Sequence, residues 1–231
     1  AVPYRLDSVK LAVARMGADL SIHGEVLGSM DYLVDLVGVD GAMMALMDEP
    51  ERSRAIFELG ADYSIRSALA QIEAGADAIK VSSPFVSSRF ISPMHYESFV
   101  LPYEGKIVSA VHARAPGTPI YIHTCGAIGD RLELMAQAGY DGIECMDPPP
   151  LGDVELEEAV KRIGQTMFLK GNLDSVGILL CGSDQDVDRA VLRCLQAGRQ
   201  ASGYVLSTAC SVAPHVRPER LERLAEFVAN P

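Results

Sequence analysis

Long apolar runs and clustered positive charge are both missing from this sequence. No apolar run approaches the roughly 20 residues that span a bilayer, and the first residues do not follow the charged-then-apolar plan of a signal peptide. Lys and Arg number 20 against 31 Asp and Glu, which gives a net charge of −11 at pH 7. Nucleic acids and anionic membranes attract basic surfaces, so neither is expected as a partner. The sequence therefore predicts a cytoplasmic protein.

Cysteine is scarce and odd in number, which argues against a disulfide framework. The five cysteines are Cys125, Cys145, Cys181, Cys194 and Cys210. In a mid-sized acidic chain they are expected to be reduced thiols. Cys194 lies on an apolar stripe with helical spacing, so we assign it to a helix packed on the core. Cys181 follows a short apolar stretch in a glycine-containing turn and suggests no role.

Low-complexity tracts are also absent, and strand and helix patterns alternate along the 231 residues. Six apolar segments have the length of buried strands: 20–24, 77–82, 119–123, 141–146, 167–170 and 204–208. An Ala-Gly pair at 74–75, 138–139 and 197–198 precedes three of them, and glycine at this place predicts the end of a helix. The alternation predicts a single α/β domain over residues 1–231 with a parallel sheet. Six strands fit either an open sheet or the larger part of an eight-stranded barrel.

A His-x-Cys pair at the end of the third predicted strand suggests a metal site. Residues i and i+2 of a strand point to the same side, so the His123 imidazole and the Cys125 sulfur can converge where the strand ends. The carboxyl ends of the strands of a parallel barrel open on one face. Glu144 ends the next strand and Cys210 follows the last one, which would complete an N, S, O, S set that suits zinc. Cys145 points away from Glu144 if the strand is regular, and it is the alternative fourth ligand.

Five short phrases together resemble the uroporphyrinogen decarboxylase superfamily. They are QIEAGADAI at 71–79, FVLPY at 99–103, IHTCG at 122–126, KGNLD at 170–174 and the ending with Pro218-Glu219. The resemblance extends over nearly the whole chain. It implies a (β/α)8 barrel of the TIM type, of which this sequence would contain about six strands and lack the N-terminal portion.

The cysteine and histidine positions resemble one branch of this superfamily in particular. His123, Cys125 and Cys210 match the zinc motif of methyltransferases of the methylcobamide:coenzyme M type. The resemblance implies that zinc is the metal and that the methyl group is carried by the corrinoid (methylcobalamin) of a separate partner protein. It further implies a small thiol or a folate-like compound as methyl acceptor. The distantly related cobalamin-independent methionine synthase has ligands in the order His, Cys, Glu, Cys, which favours Glu144 as the fourth.

Two other functions stay open on the sequence alone. One is a decarboxylase acting on a tetrapyrrole, from a branch that uses no metal and ends its last strand in a histidine-containing glycine-rich turn. This sequence has STACS at 207–211 in that place. The other is a non-catalytic fragment or a cobamide-binding module. It is suggested by the N-terminal strands of the superfamily, which have no counterpart in this sequence. An incomplete barrel would expose unpaired strand edges, which also predicts a homo-oligomer.

The zinc hypothesis assigns a chemical role to each ligand. Methyl transfer to a thiol requires a thiolate, and zinc deprotonates a sulfur that binds it. His123, Cys125 and Cys210 would hold the ion, and Glu144 would occupy the substrate position at rest and be displaced by the incoming thiol.

Further polar side chains lie next to predicted strand ends. Asn172 and Asp174 could contact substrate, although both residue types are also ordinary turn formers. His23 and Ser82 could line the cavity and contact the cofactor, and Ser82 could equally cap the segment that follows. Asp147 precedes three prolines, and we expect it to shape the rim of the site rather than to react.

Overall fold

The computed structural model describes residues 3–229, in which six parallel strands alternate with helices. The strands are β1 (His23–Leu27), β2 (Ala78–Ser82), β3 (Ile120–Thr124), β4 (Gly142–Cys145), β5 (Phe168–Leu173) and β6 (Tyr204–Thr208). The α-helices are α1 (Pro3–Met16), α2 (Ser29–Asp48), α3 (Pro50–Glu73), α4 (Pro93–His95), α5 (Leu101–Arg114), α6 (Leu132–Gln137), α7 (Leu156–Ile163), α8 (Asp184–Gly198) and α9 (Pro218–Ala229). None of these helices combines the length and the hydropathy needed to cross a bilayer.

The spatial order of the strands is the same as their order in the chain. Each strand pairs in parallel with the next, from β1 to β6. An open doubly wound sheet reverses its strand order part-way, whereas a barrel adds its strands in sequence. The prediction of a TIM-type barrel fold with about six strands in this chain is confirmed. Within residues 3–229, β1 and β6 each have one strand neighbour, and the homo-oligomer stays a prediction.

The two faces of the sheet differ in polarity, as the period of two along each strand requires. Ile79, Ile122, Ile143 and Leu169 are fully buried and join the core formed with the surrounding helices. Burying a side chain of this size contributes roughly 1.5–3 kcal/mol. The opposite face, which we call the lumen, carries ionisable residues in two rows, Glu25, Lys80 and Tyr121 in one and His123, Glu144 and Lys170 in the other. The lumen is therefore polar, and its side chains pair across neighbouring strands.

The first strand lies three residues later than predicted. The sequence suggested 20–24, but β1 begins at His23 and ends at Leu27. The Gln71 amide of α3 fixes this segment, because it accepts a hydrogen bond from the Glu25 N–H and donates one to the Glu25 carbonyl, both at 3.0 Å. Gly24 leaves room for this contact, since a Cβ there would lie 2.9 Å from Gln71 Oε1. His23 consequently stands at the beginning of β1, at the end of the sheet opposite the strand exits.

The predicted helix 93–114 is interrupted by a π-helical turn at Tyr96–Val100. Pro102 lies in the first turn of α5 and has no N–H to donate to the carbonyl four residues earlier. That carbonyl, of Ser98, accepts a hydrogen bond of 2.9 Å from Arg54 Nη1 instead. The proline thus separates α5 from the short α4.

Two of the three predicted glycine helix ends are confirmed. Gly75 and Gly139 follow α3 and α6 with φ of 102° and 90°, the left-handed conformation that glycine adopts most readily. Gly198 differs because it lies inside the last turn of α8. Its lack of a side chain serves close packing, since a Cβ there would overlap the ring of Tyr204.

Candidate metal centre

Three cysteines and one histidine meet at the carboxyl ends of β3, β4 and β6. His123 lies in β3 and Cys125 directly after it, Cys145 is the last residue of β4, and Cys210 follows β6. One ligand atom from each side chain lies within 4.8 Å of all the others. The Cys125 sulfur is 3.8 Å from the Cys210 sulfur, 3.9 Å from the Cys145 sulfur and 3.4 Å from His123 Nε2. We call this group the thiol cluster.

The distances from Cys125 to the other members of the thiol cluster match the edges of a zinc tetrahedron. Zn–S bonds of about 2.3 Å and Zn–N bonds of about 2.0–2.1 Å imply S–S edges of about 3.8 Å and S–N edges of about 3.5 Å. The three distances around Cys125 agree with these values to within about 0.1 Å. One imidazole nitrogen and three sulfurs are also a donor set that zinc prefers. The side chains present therefore fit this metal.

Cys145 joins the cluster because the backbone turns sharply at the end of β4. A regular strand would point Cys145 away from Glu144 and toward the core, as the sequence suggested. Instead, Cys145 has φ of 86° and Met146 has φ of 51°, both in the left-handed region. This conformation costs roughly 1–2 kcal/mol per residue outside glycine. It brings the Cys145 sulfur to 3.9 Å from the Cys125 sulfur. Backbone strain of this kind is typical of functional sites.

Glu144 lies beside His123 but outside the thiol cluster. Glu144 Oε1 is 3.7 Å from His123 Nδ1, the ring nitrogen that does not face Cys125, and the second carboxylate oxygen is 3.3 Å from Lys170 Nζ. The sequence favoured Glu144 as the fourth ligand with Cys145 as the alternative. The structure groups Cys145, and not Glu144, with His123, Cys125 and Cys210.

The protonation of the cluster follows from these contacts. Hydrogen bonds from Cys145 and His123 lower the pKa of Cys125 to about 4 against the effect of burial. Burial lowers the pKa of His123, but its contacts with Cys125 and Glu144 outweigh this and raise it to about 9. Burial raises the pKa of Glu144, whereas His123 and Lys170 lower it to about 2. Donation to Cys125, together with burial, raises the pKa of Cys145. The surroundings thus favour a thiolate at Cys125, which is the form that binds metal.

A cavity of about 450 Å³ opens beside Cys125 and Cys210. Its walls include Phe85 and Phe90, whose rings pack edge to face with centroids 5.4 Å apart. Arg89 also lines the cavity and donates a hydrogen bond to the carbonyl of Leu151. A mainly apolar cavity that reaches two thiols could admit a small molecule and exclude water from the cluster.

Asp147 is more central than its place before three prolines suggested. It is buried, lines the same cavity, and accepts a hydrogen bond of 2.7 Å from the Gly126 N–H. Gly126 directly follows Cys125 and has φ of 81°. Asp147 therefore fixes the turn that orients the Cys125 thiol. The sequence did contain the signal, a carboxylate just beyond a strand whose exit carries a ligand.

Asn172 and Asp174 lie apart from the thiol cluster and shape loops. The buried Asn172 amide donates to the carbonyls of Met146 and Val154 at 3.0 and 3.1 Å. Asp174 Oδ1 accepts from the N–H groups of Val176 and Gly177. Both residues line a second cavity and not the one beside Cys125. These contacts agree with the turn-forming alternative, and a substrate role for either residue stays a prediction.

His23 and Ser82 occupy opposite ends of the lumen. His23 begins β1, and its Nδ1 is 2.8 Å from the Tyr121 hydroxyl. Burial is the main cause of its lowered pKa. The expectation that His23 flanks a strand exit is wrong, because the strand begins rather than ends there. Ser82 ends β2 in register with His123, but it is not among the residues that line the cavity beside Cys125.

With this geometry established, comparison with known proteins identifies the family. The family model described as uroporphyrinogen decarboxylase (URO-D) matches residues 1–231. The chain belongs to the uroporphyrinogen decarboxylase family. Known members of this family include both decarboxylases and methyltransferases, so membership alone does not select the reaction.

The similar proteins within the family include both kinds of enzyme. The methylcobamide:CoM methyltransferase MtbA of Methanosarcina acetivorans is 28% identical over 225 residues, which cover 97% of this chain and 62% of that protein. The uroporphyrinogen decarboxylase of Streptomyces avermitilis is 27% identical over 234 residues, covering 98% of this chain and 62% of that protein. A solved methyltransferase structure from Methanosarcina mazei matches with a TM-score of 0.85 and 25% identity, covering 98% of this chain and 65% of that one. The chain thus spans less than two thirds of the length of these relatives.

Proposed function

We propose that this chain is a zinc-dependent methyltransferase that moves a methyl group between a corrinoid protein and a thiol or similar acceptor. The observation that carries the proposal is the grouping of His123 with three cysteine sulfurs within 4.8 Å of one another, with distances from Cys125 that match those of a zinc site. Similarity to methylcobamide:CoM methyltransferases at 26–28% identity supports it.

Each residue of the site has a part in this proposal. His123, Cys125 and Cys210 would hold zinc, and Cys145 would fill the fourth position until an acceptor thiol replaces it. Bound zinc would supply one chemical effect, keeping the acceptor sulfur deprotonated at neutral pH. Asp147 holds the Gly126 turn and with it the direction of the Cys125 thiol. The aromatic wall of the cavity offers the reacting sulfur a mainly apolar surrounding. The acceptor sulfur would gain the methyl group as the cobalt–carbon bond of the partner's corrinoid breaks, with both electrons of that bond staying on cobalt as Co(I), and the thiol proton would leave to solvent.

Metal analysis joined to a methyl-transfer assay tests the proposal. We expect about one zinc per chain in the wild type, and loss of zinc from Cys125→Ser and from Cys210→Ser. Cys194→Ser is the matched control, because Cys194 is a buried cysteine of α8 outside the cluster. The assay follows the absorbance of methylcobalamin with 2-mercaptoethanesulfonate as the probe thiol. Full zinc occupancy in a variant lacking both Cys125 and Cys210 would overturn the proposal.

The decarboxylase alternative is favoured by relatives of that name at comparable identity. Release of carbon dioxide from uroporphyrinogen by the zinc-free chain would support it. A chain that binds a corrinoid but catalyses neither reaction would instead support the binding-module alternative.

A further inference from the structure

Glu144 is placed to act on His123 from the side of the imidazole ring that faces away from the thiols. His123 Nε2 faces the Cys125 sulfur at 3.4 Å, and Nδ1 faces Glu144 Oε1 at 3.7 Å. We propose that Glu144 is a positioning residue, which holds the Nδ1 proton of His123 so that Nε2 is free to bind metal, with Lys170 fixing the carboxylate. This inference rests on the proposed function, because it presumes that the thiol cluster binds zinc.

The two ring nitrogens of His123 have different roles, one binding metal and the other carrying the proton. A neutral imidazole carries one proton, and a nitrogen that binds metal cannot carry it. Metal-binding histidines commonly donate their other N–H to a carboxylate, which fixes both the tautomer and the ring orientation. Nε2 of His123 faces the Cys125 sulfur, so Nδ1 would carry the proton once Nε2 binds metal, and Glu144 is the carboxylate on the Nδ1 side.

The contact with Glu144 needs a small movement to become a hydrogen bond. A distance of 3.7 Å exceeds the usual N–H···O range of about 2.7–3.2 Å. Within residues 3–229, His123 Nδ1 is a buried atom without a hydrogen-bond partner, whereas the other carboxylate oxygen, Oε2, already has the Lys170 ammonium 3.3 Å away. Unpaired buried polar atoms favour closing such a gap. A shift of the ring or the carboxylate by about half an ångström would suffice.

The register of the sheet builds this arrangement. β3 and β4 pair His123 with Glu144, and β4 and β5 pair Glu144 with Lys170. Paired residues of neighbouring strands lie on the same face of the sheet, about 4.8 Å apart. The imidazole, the carboxylate and the ammonium group therefore form a row across the lumen, with the ammonium 3.3 Å from the second carboxylate oxygen. Lys170 holds Glu144 on the side of the ring away from the sulfurs, which opposes direct ligation by Glu144.

The same lumen contains a second Glu–Lys pair, with a more exposed carboxylate and no metal-binding histidine beside it. Glu25 and Lys80 are paired across β1 and β2, also at 3.3 Å between charged atoms. The next residue across from Lys80 is Tyr121. Glu25→Gln therefore removes the same kind of lumen ion pair without touching His123.

Zinc affinity measured by competition with a chelator separates these roles. We expect Glu144→Gln to bind zinc about 10- to 100-fold more weakly than the wild type, as for other carboxylates that hydrogen-bond a metal-binding histidine, and Glu25→Gln to bind it equally well. Cobalt(II) in place of zinc should give the same ligand-field bands in Glu144→Gln as in the wild type, because the four ligands are unchanged. In ¹⁵N-labelled zinc-loaded protein, the Nδ1 proton of His123 should be observed in the wild type and exchange faster with water in Glu144→Gln. Lys170→Gln is a second variant if Glu144→Gln fails to fold, with a smaller loss in the same direction.

Different outcomes identify which hypothesis fails. Equal zinc affinity of Glu144→Gln and Glu25→Gln would overturn the positioning role alone. Altered cobalt(II) bands in Glu144→Gln would overturn it in favour of Glu144 as a direct ligand. A wild-type chain that binds no zinc would overturn the proposed function and this inference with it.

Discussion

A fully buried glutamate next to the strands that carry the thiol cluster should make the stability of this protein fall as the pH rises. Glu104 of α5 accepts hydrogen bonds of 2.7 Å from the Ser83 and Tyr96 hydroxyls. Burial raises its pKa from 4.5 to about 7 even though both hydrogen bonds act in the opposite direction. The Ser83 N–H also donates to the carbonyl of His123 at 2.8 Å. The protonation of Glu104 is therefore linked to the strand exits that carry the site.

The sign and the size of the effect follow from the difference in pKa. A raised pKa means that the folded chain holds this proton more tightly than the unfolded chain. The resulting stabilisation is complete below pH 4.5 and is lost as the pH rises through about 7. The difference corresponds to about 3 kcal/mol of the free energy of unfolding, most of it lost between about pH 5 and about pH 8. Asp31 has a pKa raised to about 8 by burial and by the charge of Glu104, and it acts in the same direction.

The variant Glu104→Gln removes the titration and preserves the shape of the side chain. Urea unfolding followed by circular dichroism at pH 5, 6, 7 and 8 should show a free energy that falls with pH in the wild type by about 3 kcal/mol more than in the variant. A slope from Asp31 should remain in the variant, because burial is the first cause of its raised pKa and the charge of Glu104 only the second. Glu73→Gln changes the same atoms at an exposed position of α3 and should leave the wild-type slope intact. Parallel slopes for the wild type and Glu104→Gln would refute the reasoning.

Three further changes test the ligand set and the packing. Cys145→Ser should weaken zinc binding more than about 100-fold if Cys145 is a ligand, since even the hydrogen-bond partners of metal ligands contribute about 10- to 100-fold. Cys194→Ser should leave the zinc affinity unchanged. Equal zinc affinities of the two variants in a chelator titration would exclude Cys145 as a ligand. Gly198→Ala should lower the free energy of unfolding by about 1–3 kcal/mol because a Cβ would overlap the Tyr204 ring; an unchanged urea midpoint would contradict this. Arg131→Gln should lower it by about 3 kcal/mol, because the fully buried guanidinium pairs with the preceding aspartate and donates to a buried carbonyl; thermal unfolding measures the loss.

The fold followed from the sequence because its signals are local and repeated. Apolar strands alternate with amphipathic helices, and glycines at 75 and 139 end their helices as predicted. The errors arose where a distant side chain decides the local structure. Gln71 fixes β1 three residues later than hydropathy suggests. Gln71 lies in α3, so the sequence of residues 20–27 gives no indication of this contact.

The candidate site was only partly predictable for a related reason. His123 and Cys125 follow from the period of a strand, and Cys210 from the common exit face of parallel strands. The choice between Glu144 and Cys145 depends on the backbone at Cys145, where φ is 86°. A cysteine in that conformation is uncommon, so the alternation of side chains along a regular strand predicts the wrong direction for its thiol. The prolines that follow Asp147 suggest a role at the rim of the site, whereas its carboxylate accepts a hydrogen bond from the backbone of Gly126.

The thiol cluster depends on the curvature of the sheet as much as on the ligands. Cys125 and Cys210 follow strands β3 and β6, which are three positions apart in the sheet. Strands are spaced by about 4.8 Å, so in a flat sheet the two strand ends would lie about 14 Å apart, whereas the sulfurs are 3.8 Å apart. The curvature of a barrel-type sheet and the residues that follow the strands together close this gap. A metal held by both cysteines would in turn oppose flattening of the sheet, so metal binding and barrel curvature should stabilise each other.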